Sequence, residues 1–288
     1  MSSTVMIDGL LVPPERAQVS VFDRGFLYGD SVFESLRSYQ GKLFALDEHL
    51  TRLKRSAERV AITLPVSLDT LRNEMQYALH VHGSKDSYLR LTLTRGTGRS
   101  LGLDPELAGE PLRVLLVTAL TLPAAEIYEH GIAAITYRAE RPSDAAGVAD
   151  AKIGNYLLAV LAMRAARAQA AREALIEDAR GHILEGASSN VFAVFSGKLV
   201  SPPESAAILP GITRGHVLEL ARSAGTKVEL RAIAKAELAS AQEVFVCSSI
   251  RELVPVVSID GRPVGNGLPG PITRALLHSY RERAAAAR

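Results

Sequence analysis

Hydrophobic runs of strand length, each closed by a turn or followed by a helical pattern, constrain the fold of this chain most strongly. Residues 4–12 predict a hairpin that turns at Asp8-Gly9, and residues 31–45 alternate as a second hairpin that turns at Gln40-Gly41. A helical pattern then begins at Asp47, which we expect to cap the helix. Strands and helices mixed in this order predict an α+β protein.

The remaining patterns fall into two groups. Before residue 121 they predict a second helix at about 67–82 and strands at 88–96 and 112–120. After residue 131 they predict, in order, the strand "IAAITYRAE", a helix at 153–171, strands at 174–178, 190–195 and 198–200, a helix from about 212 to Gly225, strands at 243–247 and 254–259, and a terminal helix from 271. We therefore expect a small N-terminal two-layer α/β domain at 1–120, a linker at 121–131 and a larger C-terminal domain at 132–288.

Composition argues against several classes of function. A net charge of +2 over 288 residues gives no electrostatic footprint for nucleic acid. No apolar run reaches the roughly 18 residues that span a membrane, and the histidines show no metal-binding spacing. The lone Cys247 cannot form an internal disulfide, which fits a reducing compartment. We expect a cytoplasmic protein that binds no metal, nucleic acid or membrane.

Lys152 stands just before a long apolar helix pattern in "DAKIGNYLLAVLAMRAA". A lysine at a helix start is commonly a solvated charge whose stem packs on the protein. A desolvated lysine has a lowered pKa instead, which suits its amine to forming a Schiff base. The rest of the chain must decide between these two interpretations.

The stretch "LPGITR" predicts an anion site. Gly211 allows a close turn, and the backbone N–H groups of Ile212 and Thr213 open a helix, where a phosphate is favoured. The further candidates for phosphate contacts are Arg52, Ser248 and Ser249. Each feature also has an ordinary interpretation, as a helix start, a surface arginine or a polar strand end.

Two further side chains could contact the ring of an aldehyde cofactor that forms a Schiff base with Lys152. Glu185, flanked by small residues in "HILEGASSNVFAV", could hold a pyridine nitrogen protonated. Tyr156 follows Lys152 by four residues and would share its helical face, within reach of a ring oxygen. A loop acid and a tyrosine packed on the core are the plain alternatives.

An amine, an anion site, a carboxylate and a ring-oxygen donor are the groups that pyridoxal phosphate requires. The ordered motifs "HLTRL", "KIGNYL", "LEGASSNVF", "LPGITR" and "SSIRELVPV", together with "FDRGFLYGDSVFESLR", resemble the class IV aminotransferases, which are fold-type IV pyridoxal-phosphate enzymes. The resemblance extends over nearly the whole chain.

The resemblance implies a role for each matching residue. Lys152 would carry the cofactor, remove the substrate α-proton and return it at the cofactor carbon, while Glu185 pairs with the pyridine nitrogen and Tyr156 lies near the ring oxygen. Leu209 would pack on the cofactor face. The residues on phosphate positions are Arg52, Gly211, Ile212, Thr213, Ser248 and Ser249, and those that support the site are Ser188 and Asn190.

The resemblance also implies a fold and partners. The expected fold is a small α/β domain and a larger pseudo-barrel domain with the cofactor between them. The expected enzyme is a homodimer that takes an amino acid and a 2-oxo acid in turn, with ping-pong kinetics.

Branched-chain amino acid aminotransferases are the closest subclass by motif. Phe33, Ser35 and Arg37 alternate to one side of a strand, and Tyr88 and Arg90 share a strand face. An arginine at the edge of an apolar pocket would accept the second carboxylate of glutamate. The further substrate candidates are Ile250 and Arg251. The chain departs from the subclass at Ser35, where glycine is usual, and at Arg251, where small residues are usual.

Alternatives on the same fold remain open. "TRGTGRS" has some likeness to D-amino acid aminotransferases but lacks their histidine. An (R)-amine transaminase and an aminodeoxychorismate lyase are also possible, although "KIGNYL" resembles the transaminases more. A cofactor carrier without transaminase activity need not keep Lys152, Glu185 and Tyr156 together. A nucleotide site in "RGTGRSLG" is rejected because Leu101 replaces the third glycine.

Overall fold

A computed structural model describes residues 3–139, 147–148 and 150–286 of the chain. These residues divide into two compact units. The first unit contains residues 3–121 and the short segment Ala151–Asn155, and the second contains the described part of 122–150 together with 156–286. Both units mix strands and helices, which confirms the α+β prediction.

A six-stranded antiparallel sheet forms within the described part of the first unit, in the order β2-β1-β6-β5-β3-β4. Its strands are β1 Ser3–Ile7, β2 Leu10–Val12, β3 Ser31–Tyr39, β4 Lys42–Leu43, β5 Ser87–Thr94 and β6 Leu112–Ala119. The dipeptides Asp8-Gly9 and Gln40-Gly41 both have positive φ angles at each residue (50° and 84°, 50° and 82°). Two-residue turns of this kind match the strand twist, and both predicted hairpins are confirmed.

The helices of the first unit are α1 Arg24–Tyr28, α2 Leu46–Arg59 and α3 Leu68–His82. Buried leucines of α2 and α3 pack on the sheet face that carries Val32, Leu36 and Leu89. Ala45, not the predicted Asp47, occupies the N-cap of α2 and makes no side-chain cap bond. Asp47 lies one residue inside the first turn, where its carboxylate still favours the helix dipole.

The segment Ala151–Asn155 runs beside the start of β3. The Phe33 N–H donates to the Lys152 carbonyl at 3.0 Å, and the Gly154 N–H donates to the Ser31 carbonyl at 2.8 Å. This is the stretch of β3 that β4 leaves uncovered, since β4 pairs only with Ser38 and Tyr39. Because its backbone groups bond to β3, the segment is not helical, and the helix predicted from 153 begins instead at Leu157.

The second unit contains a sheet in the order β12-β11-β10-β14-β15-β7-β8-β9-β13, with β16 beside β15, among the described residues. Its strands are β7 Ile132–Arg138, β8 Glu173–Glu177, β9 His182–Gly186, β10 Asn190–Phe195, β11 Lys198–Ser201, β12 Val228–Leu230, β13 Ile233–Ala234, β14 Glu243–Ser248, β15 Glu252–Ile259 and β16 Arg262–Pro263. Only residues 187–189 join β9 to β10, yet four strands separate them in the sheet. The sheet must therefore curl back on itself, as a pseudo-barrel does. Glu140, the last residue of the predicted strand "IAAITYRAE", lies outside the described residues.

The helices of the second unit are α4 Glu126–Glu129, α5 Leu157–Ala168, α6 Ile212–Ser223 and α7 Pro271–Ala286. One core fills the sheet face that carries Leu175, Val191 and Val246, and a second core lies under α5 around Ala174 and Ile176. Alternate residues of β8 thus serve two cores. A search of the described helices finds none with the length and apolarity to cross a membrane.

Candidate active site

Lys152 is held on the edge of the first unit's sheet. Its backbone N–H donates to the buried Ser56 hydroxyl of α2 at 3.0 Å, and its carbonyl accepts from Phe33. Its ammonium nitrogen lies 4.6 Å from the centre of the Phe33 ring. The backbone on both sides of the lysine is therefore fixed, while the half-buried amine rests on an aromatic face.

Arg52 is buried in the first unit, and its charge is already paired. Its Nε donates to Glu34 Oε1 at 2.7 Å and its Nη2 donates to Glu34 Oε2 at 2.8 Å. His49, one helical turn earlier, lies with Nδ1 2.7 Å from Glu34 Oε2. We call Glu34, His49 and Arg52 the buried triad. A two-point ion pair of this kind fixes the plane of the guanidinium.

The triad shifts the pKa values of two of its members. Burial raises the pKa of Glu34, but the charge of Arg52 and the hydrogen bonds from Arg52 and His49 outweigh it and lower the pKa to about 2. Burial lowers the pKa of His49, and the charges of Arg52 and Lys152 lower it further, against the pull of Glu34. The structure thus favours an ionised Glu34 and a neutral His49.

Sequence reasoning missed Glu34 and His49. The available signal was a carboxylate at Glu34 on the strand face otherwise formed by Val32 and Leu36, opposite a helix with His49 and Arg52 three residues apart. A charge on an apolar face requires a partner, and that spacing places both side chains on one side of α2.

The other face of the same sheet carries the predicted substrate residues of the first unit. The register pairs Phe33 with Thr92, Ser35 with Arg90, and Arg37 with Tyr88, so these side chains share one face. Their common face is confirmed, whereas their binding of substrate stays a prediction. The Arg90 guanidinium lies 3.6 Å from the Phe33 ring centre, and the Ser35 and Tyr88 hydroxyls are 3.2 Å apart.

In the second unit, Glu185 and Asn190 hold Leu209 from both sides. The Leu209 N–H donates to Glu185 Oε2 at 3.2 Å, and Asn190 Nδ2 donates to the Leu209 carbonyl at 2.9 Å. Glu185 is on β9, next to an irregularity in the register with β8, and is therefore not the loop acid of the plain alternative. Bulges of this type commonly redirect a side chain beside an active site.

Helix α6 begins directly after this contact. Gly211 is its N-cap and makes no side-chain cap bond, so the first N–H groups of the helix have no side-chain acceptor from the cap. A Cβ at Gly211 would overlap Asn190 Oδ1. The glycine therefore lets the helix start lie against Asn190, and the anion site at Ile212 and Thr213, at the first two residues of the helix, stays a prediction.

The turn 248–251 contains four of the predicted site residues, Ser248, Ser249, Ile250 and Arg251. Ser248 Oγ accepts from the Arg251 N–H at 3.3 Å, and the Arg251 guanidinium donates to Glu173 Oε2 at 2.6 Å. Arg251, one of the substrate candidates, pairs here with a carboxylate of its own unit, and its role toward substrate stays a prediction. Ser188 is exposed, whereas its neighbour Ser189 is buried and bonds to Glu173. Tyr156 is the N-cap of α5, so its predicted position one helical turn beyond Lys152 is wrong.

The donor set fits pyridoxal phosphate. An amine on an aromatic face, a carboxylate on a strand, and a helix N-terminus opened by a glycine are the chemistry that its aldehyde, ring nitrogen and phosphate require. The first unit brings together Lys152, Phe33 and the buried triad, and the second brings together Glu185, Asn190, Leu209 and Gly211. The described residues contain no group of histidines, cysteines or carboxylates that could hold a metal ion.

Comparisons with known proteins identify the family of this chain. Residues 31–259 match the family described as amino-transferase class IV. The chain is 38% identical over 279 residues to a Methanocaldococcus jannaschii protein assigned as a branched-chain-amino-acid aminotransferase, covering 96% of this chain and 95% of that one. It is 36% identical over 279 residues to the D-alanine aminotransferase of Bacillus licheniformis, covering 94% and 93%.

A solved structure shares the fold. A branched-chain amino acid aminotransferase from T.th., solved with pyridoxamine 5'-phosphate, superimposes with a TM-score of 0.93 at 30% identity, covering 99% of this chain and 95% of that one. The predicted fold type is confirmed by this agreement.

Proposed function

We propose that this chain, which belongs to the class IV aminotransferases and is a pyridoxal-phosphate-dependent transaminase, transfers the amino group of a branched-chain L-amino acid to a 2-oxo acid such as 2-oxoglutarate. The family prediction is confirmed, and the substrate is the proposal. The observation that carries it is Arg90 stacked on Phe33 at 3.6 Å. The Phe33 ring is buried and supports the guanidinium, so Arg90 offers a held cation for the second carboxylate of an acceptor such as 2-oxoglutarate.

The chemical work divides among the chain's own residues. Pyridoxal phosphate, when bound, supplies an electron sink for the substrate's amino carbon. We assign proton removal and return to the Lys152 amine, whose backbone is fixed by Phe33 and Ser56. Glu185 would hold the ring nitrogen protonated, and its bond to the Leu209 N–H supports a fixed carboxylate at that position.

We assign the phosphate to the start of α6. The helix dipole and the first N–H groups, which the cap side chain leaves without an acceptor, support this placement. The residues proposed to bind or surround the cofactor are Arg52, Tyr156, Ser188, Asn190, Leu209, Gly211, Ile212, Thr213, Ser248 and Ser249. Arg52 would act from the buried triad, where Glu34 fixes its guanidinium.

A second candidate is transamination of D-amino acids. It is favoured by 36% identity to the D-alanine aminotransferase of B. licheniformis, close to the value for the M. jannaschii relative. The stereochemistry of the donor separates the two candidates, since the amine and the cofactor are common to both.

We further propose a homodimer in the cytoplasm. The support for a dimer is an exposed apolar patch of the first unit, where Phe22, Phe26 and Leu103 are 57%, 72% and 78% exposed. Arg24 of α1 donates to the Leu103 carbonyl, so α1 lies next to the loop that carries Leu103. Light scattering of the purified protein tests the dimer. A monomer at micromolar concentration would contradict it.

The substrate test uses the holoenzyme and its visible absorption. We expect L-leucine to bleach the cofactor band and D-alanine to leave it unchanged, with the band restored by 2-oxoglutarate. Bleaching by D-alanine alone would replace the branched-chain proposal with the second candidate.

The variant Arg90→Met tests whether the Arg90 guanidinium binds the second carboxylate of 2-oxoglutarate. Loss of the cation predicts a rise of about 10-fold in KM for 2-oxoglutarate, because a charge-assisted bond is lost. The rate of the half-reaction with L-leucine should stay within about twofold of wild type, because leucine presents no second carboxylate. Equal loss for both substrates would remove Arg90 from this role.

A further inference from the structure

Glu173, at the start of β8, is a fully buried carboxylate with no part in the proposed chemistry. Its Oε1 accepts from the Ala174 N–H at 3.0 Å and lies 3.2 Å from the Ala187 nitrogen. Its Oε2 accepts from the Ser189 hydroxyl at 3.0 Å and from Arg251 Nη2 at 2.6 Å. A buried charge with this many donors is held in one geometry.

These bonds reach two turns that come from distant parts of the sequence. Ala187 and Ser189 belong to the turn between Glu185 and Asn190, and Arg251 closes the turn that carries Ser248 and Ser249. An ion pair joins Glu173 to the 248–251 turn, with Arg251 24% exposed and Glu173 fully buried. Glu173 therefore links the segment proposed for the ring nitrogen to the segment proposed for the phosphate.

The turn beside Glu173 is tightly packed against its carboxylate. A Cβ at Gly186 would overlap the Ser189 hydroxyl and lie 3.2 Å from the Glu173 carboxyl carbon. The Gly186 N–H also donates to the Ser189 carbonyl at 2.7 Å. The absence of a side chain at Gly186 thus leaves room for the Ser189 hydroxyl to lie against the Glu173 carboxylate.

The backbone of Arg251 is fixed as well as its side chain. The Tyr128 hydroxyl donates to the Arg251 carbonyl at 3.1 Å, and the Arg251 N–H donates to Ser248 Oγ. Tyr128 belongs to α4, so the turn is anchored on one side by a helix and on the other by Glu173. The chain carries arginine here where the resemblance leads one to expect a small residue, and the arginine has this anchoring contact.

We propose that Glu173 is a positioning residue, which sets the spacing between the ring-nitrogen carboxylate Glu185 and the serines of the 248–251 turn through Ser189 and Arg251. It would touch neither cofactor nor substrate. The inference rests on the proposed function, since the two segments matter as a pair only if one cofactor engages both.

The test replaces both charges together, as Glu173→Gln with Arg251→Met, so that the net charge near the phosphate is unchanged. The measured quantity is the dissociation constant of pyridoxal divided by that of pyridoxal phosphate, which isolates the contribution of the phosphate group. We expect this ratio to fall by about 10-fold, the effect usual for groups that orient a binding shell. A ratio within about twofold of wild type would overturn the proposal.

The matched control is Glu177→Gln with Lys235→Met. Glu177 is on the same strand as Glu173, and its carboxylate lies 3.1 Å from the Lys235 ammonium. This pair touches neither turn, so the control should lose stability without changing the ratio. An equal fall of the ratio in the control would show a general structural effect and would also overturn the proposal.

Two measurements keep the outcome clear. If the double variant does not fold, Ser189→Ala removes one of the linking bonds and should lower the ratio by about threefold. An unchanged ratio in that variant would count against Glu173. If wild-type protein itself binds pyridoxal phosphate no better than pyridoxal, the proposed phosphate site fails, which is a result distinct from failure of the variants.

Discussion

The Glu34 carboxylate on β3 and the Arg52 guanidinium on α2 form a two-point ion pair in the interior of the first unit, at 2.7 and 2.8 Å. The pair joins the sheet to the helix at the position where Arg52 is proposed to meet the phosphate. Glu34 is 1% exposed and Arg52 is 6% exposed, so water cannot replace either partner. The arginine's orientation therefore depends on the glutamate, which is also its buried counter-charge.

Glu34→Gln should destabilise the protein strongly. The change leaves a buried guanidinium without its counter-charge, which costs about 3–5 kcal/mol of the free energy of unfolding. Urea unfolding of the variant measures the loss. The control is Glu58→Gln on α2, the helix that carries Arg52, where an exposed pair with Lys54 at 3.8 Å is worth less than about 0.5 kcal/mol. Similar losses in the two variants would contradict a dominant role for the buried pair.

Acid should weaken the first unit through both titrating members of the triad. The pKa of Glu34 falls from 4.5 to about 2, so its contribution is complete above pH 4.5 and is lost as the pH falls toward 2. The pKa of His49 is lowered from 6.5, so its contribution is complete above pH 6.5 and is lost as the pH falls below that value. Both effects have the same sign.

The contribution of His49 to the pH dependence of stability can be isolated with His49→Gln, because glutamine keeps a donor for Glu34 but does not titrate. We expect the urea midpoint of wild type to fall between pH 7 and 5, and that of His49→Gln to fall less. The same slope in both proteins would exclude His49 as the source.

Gly211→Ala should damage the start of α6. The added methyl overlaps Asn190 Oδ1, so Asn190 must move and release the Leu209 carbonyl. We expect a loss of about 1–3 kcal/mol in stability and a weaker cofactor, by about 10-fold in Kd. Gly215→Ala is the control on the same helix, because no atom lies within 4 Å of its Cβ position. That change should stabilise the protein by about 0.5–1 kcal/mol. Unchanged cofactor affinity in Gly211→Ala would argue against the anion site.

Glu185→Ala should slow turnover far more than it weakens binding. The carboxylate is proposed to keep the ring nitrogen protonated, which stabilises charge in the transition state and contributes little to affinity. We expect kcat to fall by about 100-fold or more while the cofactor Kd changes by less than about 10-fold. Single-turnover absorbance with an amino donor measures the rate. A variant that retains full turnover would exclude the role.

Local patterns predicted much of this structure because local chemistry determines those parts. The two hairpins have turn dipeptides whose φ angles require glycine, and β10 at 190–195 follows the predicted range. The order of the motifs was sufficient to predict the family. These features depend on neighbours in sequence.

The errors have a common physical origin in contacts between distant residues. The helix was predicted to start at residue 153 although Gly154 and Asn155 are poor helix formers, and the segment Ala151–Asn155 bonds to β3 instead. Glu34 and Glu173 looked ordinary because their partners are 18 and 78 residues away in sequence. The residues missed are therefore those that position the predicted ones.

The pairing of Ala151–Asn155 with β3 means that cutting the chain between residues 121 and 132 separates contacts that belong to the first unit. The chain leaves the first unit after residue 121, returns for five residues and leaves again. A fragment that stops at residue 121 would expose the backbone of Ser31 and Phe33 and would lack Lys152, the proposed reactive amine. A fragment that starts at residue 132 would carry Lys152 with neither Ser56 nor Phe33 to hold it. Neither piece is a self-sufficient module, so catalytic competence is a property of the intact polypeptide.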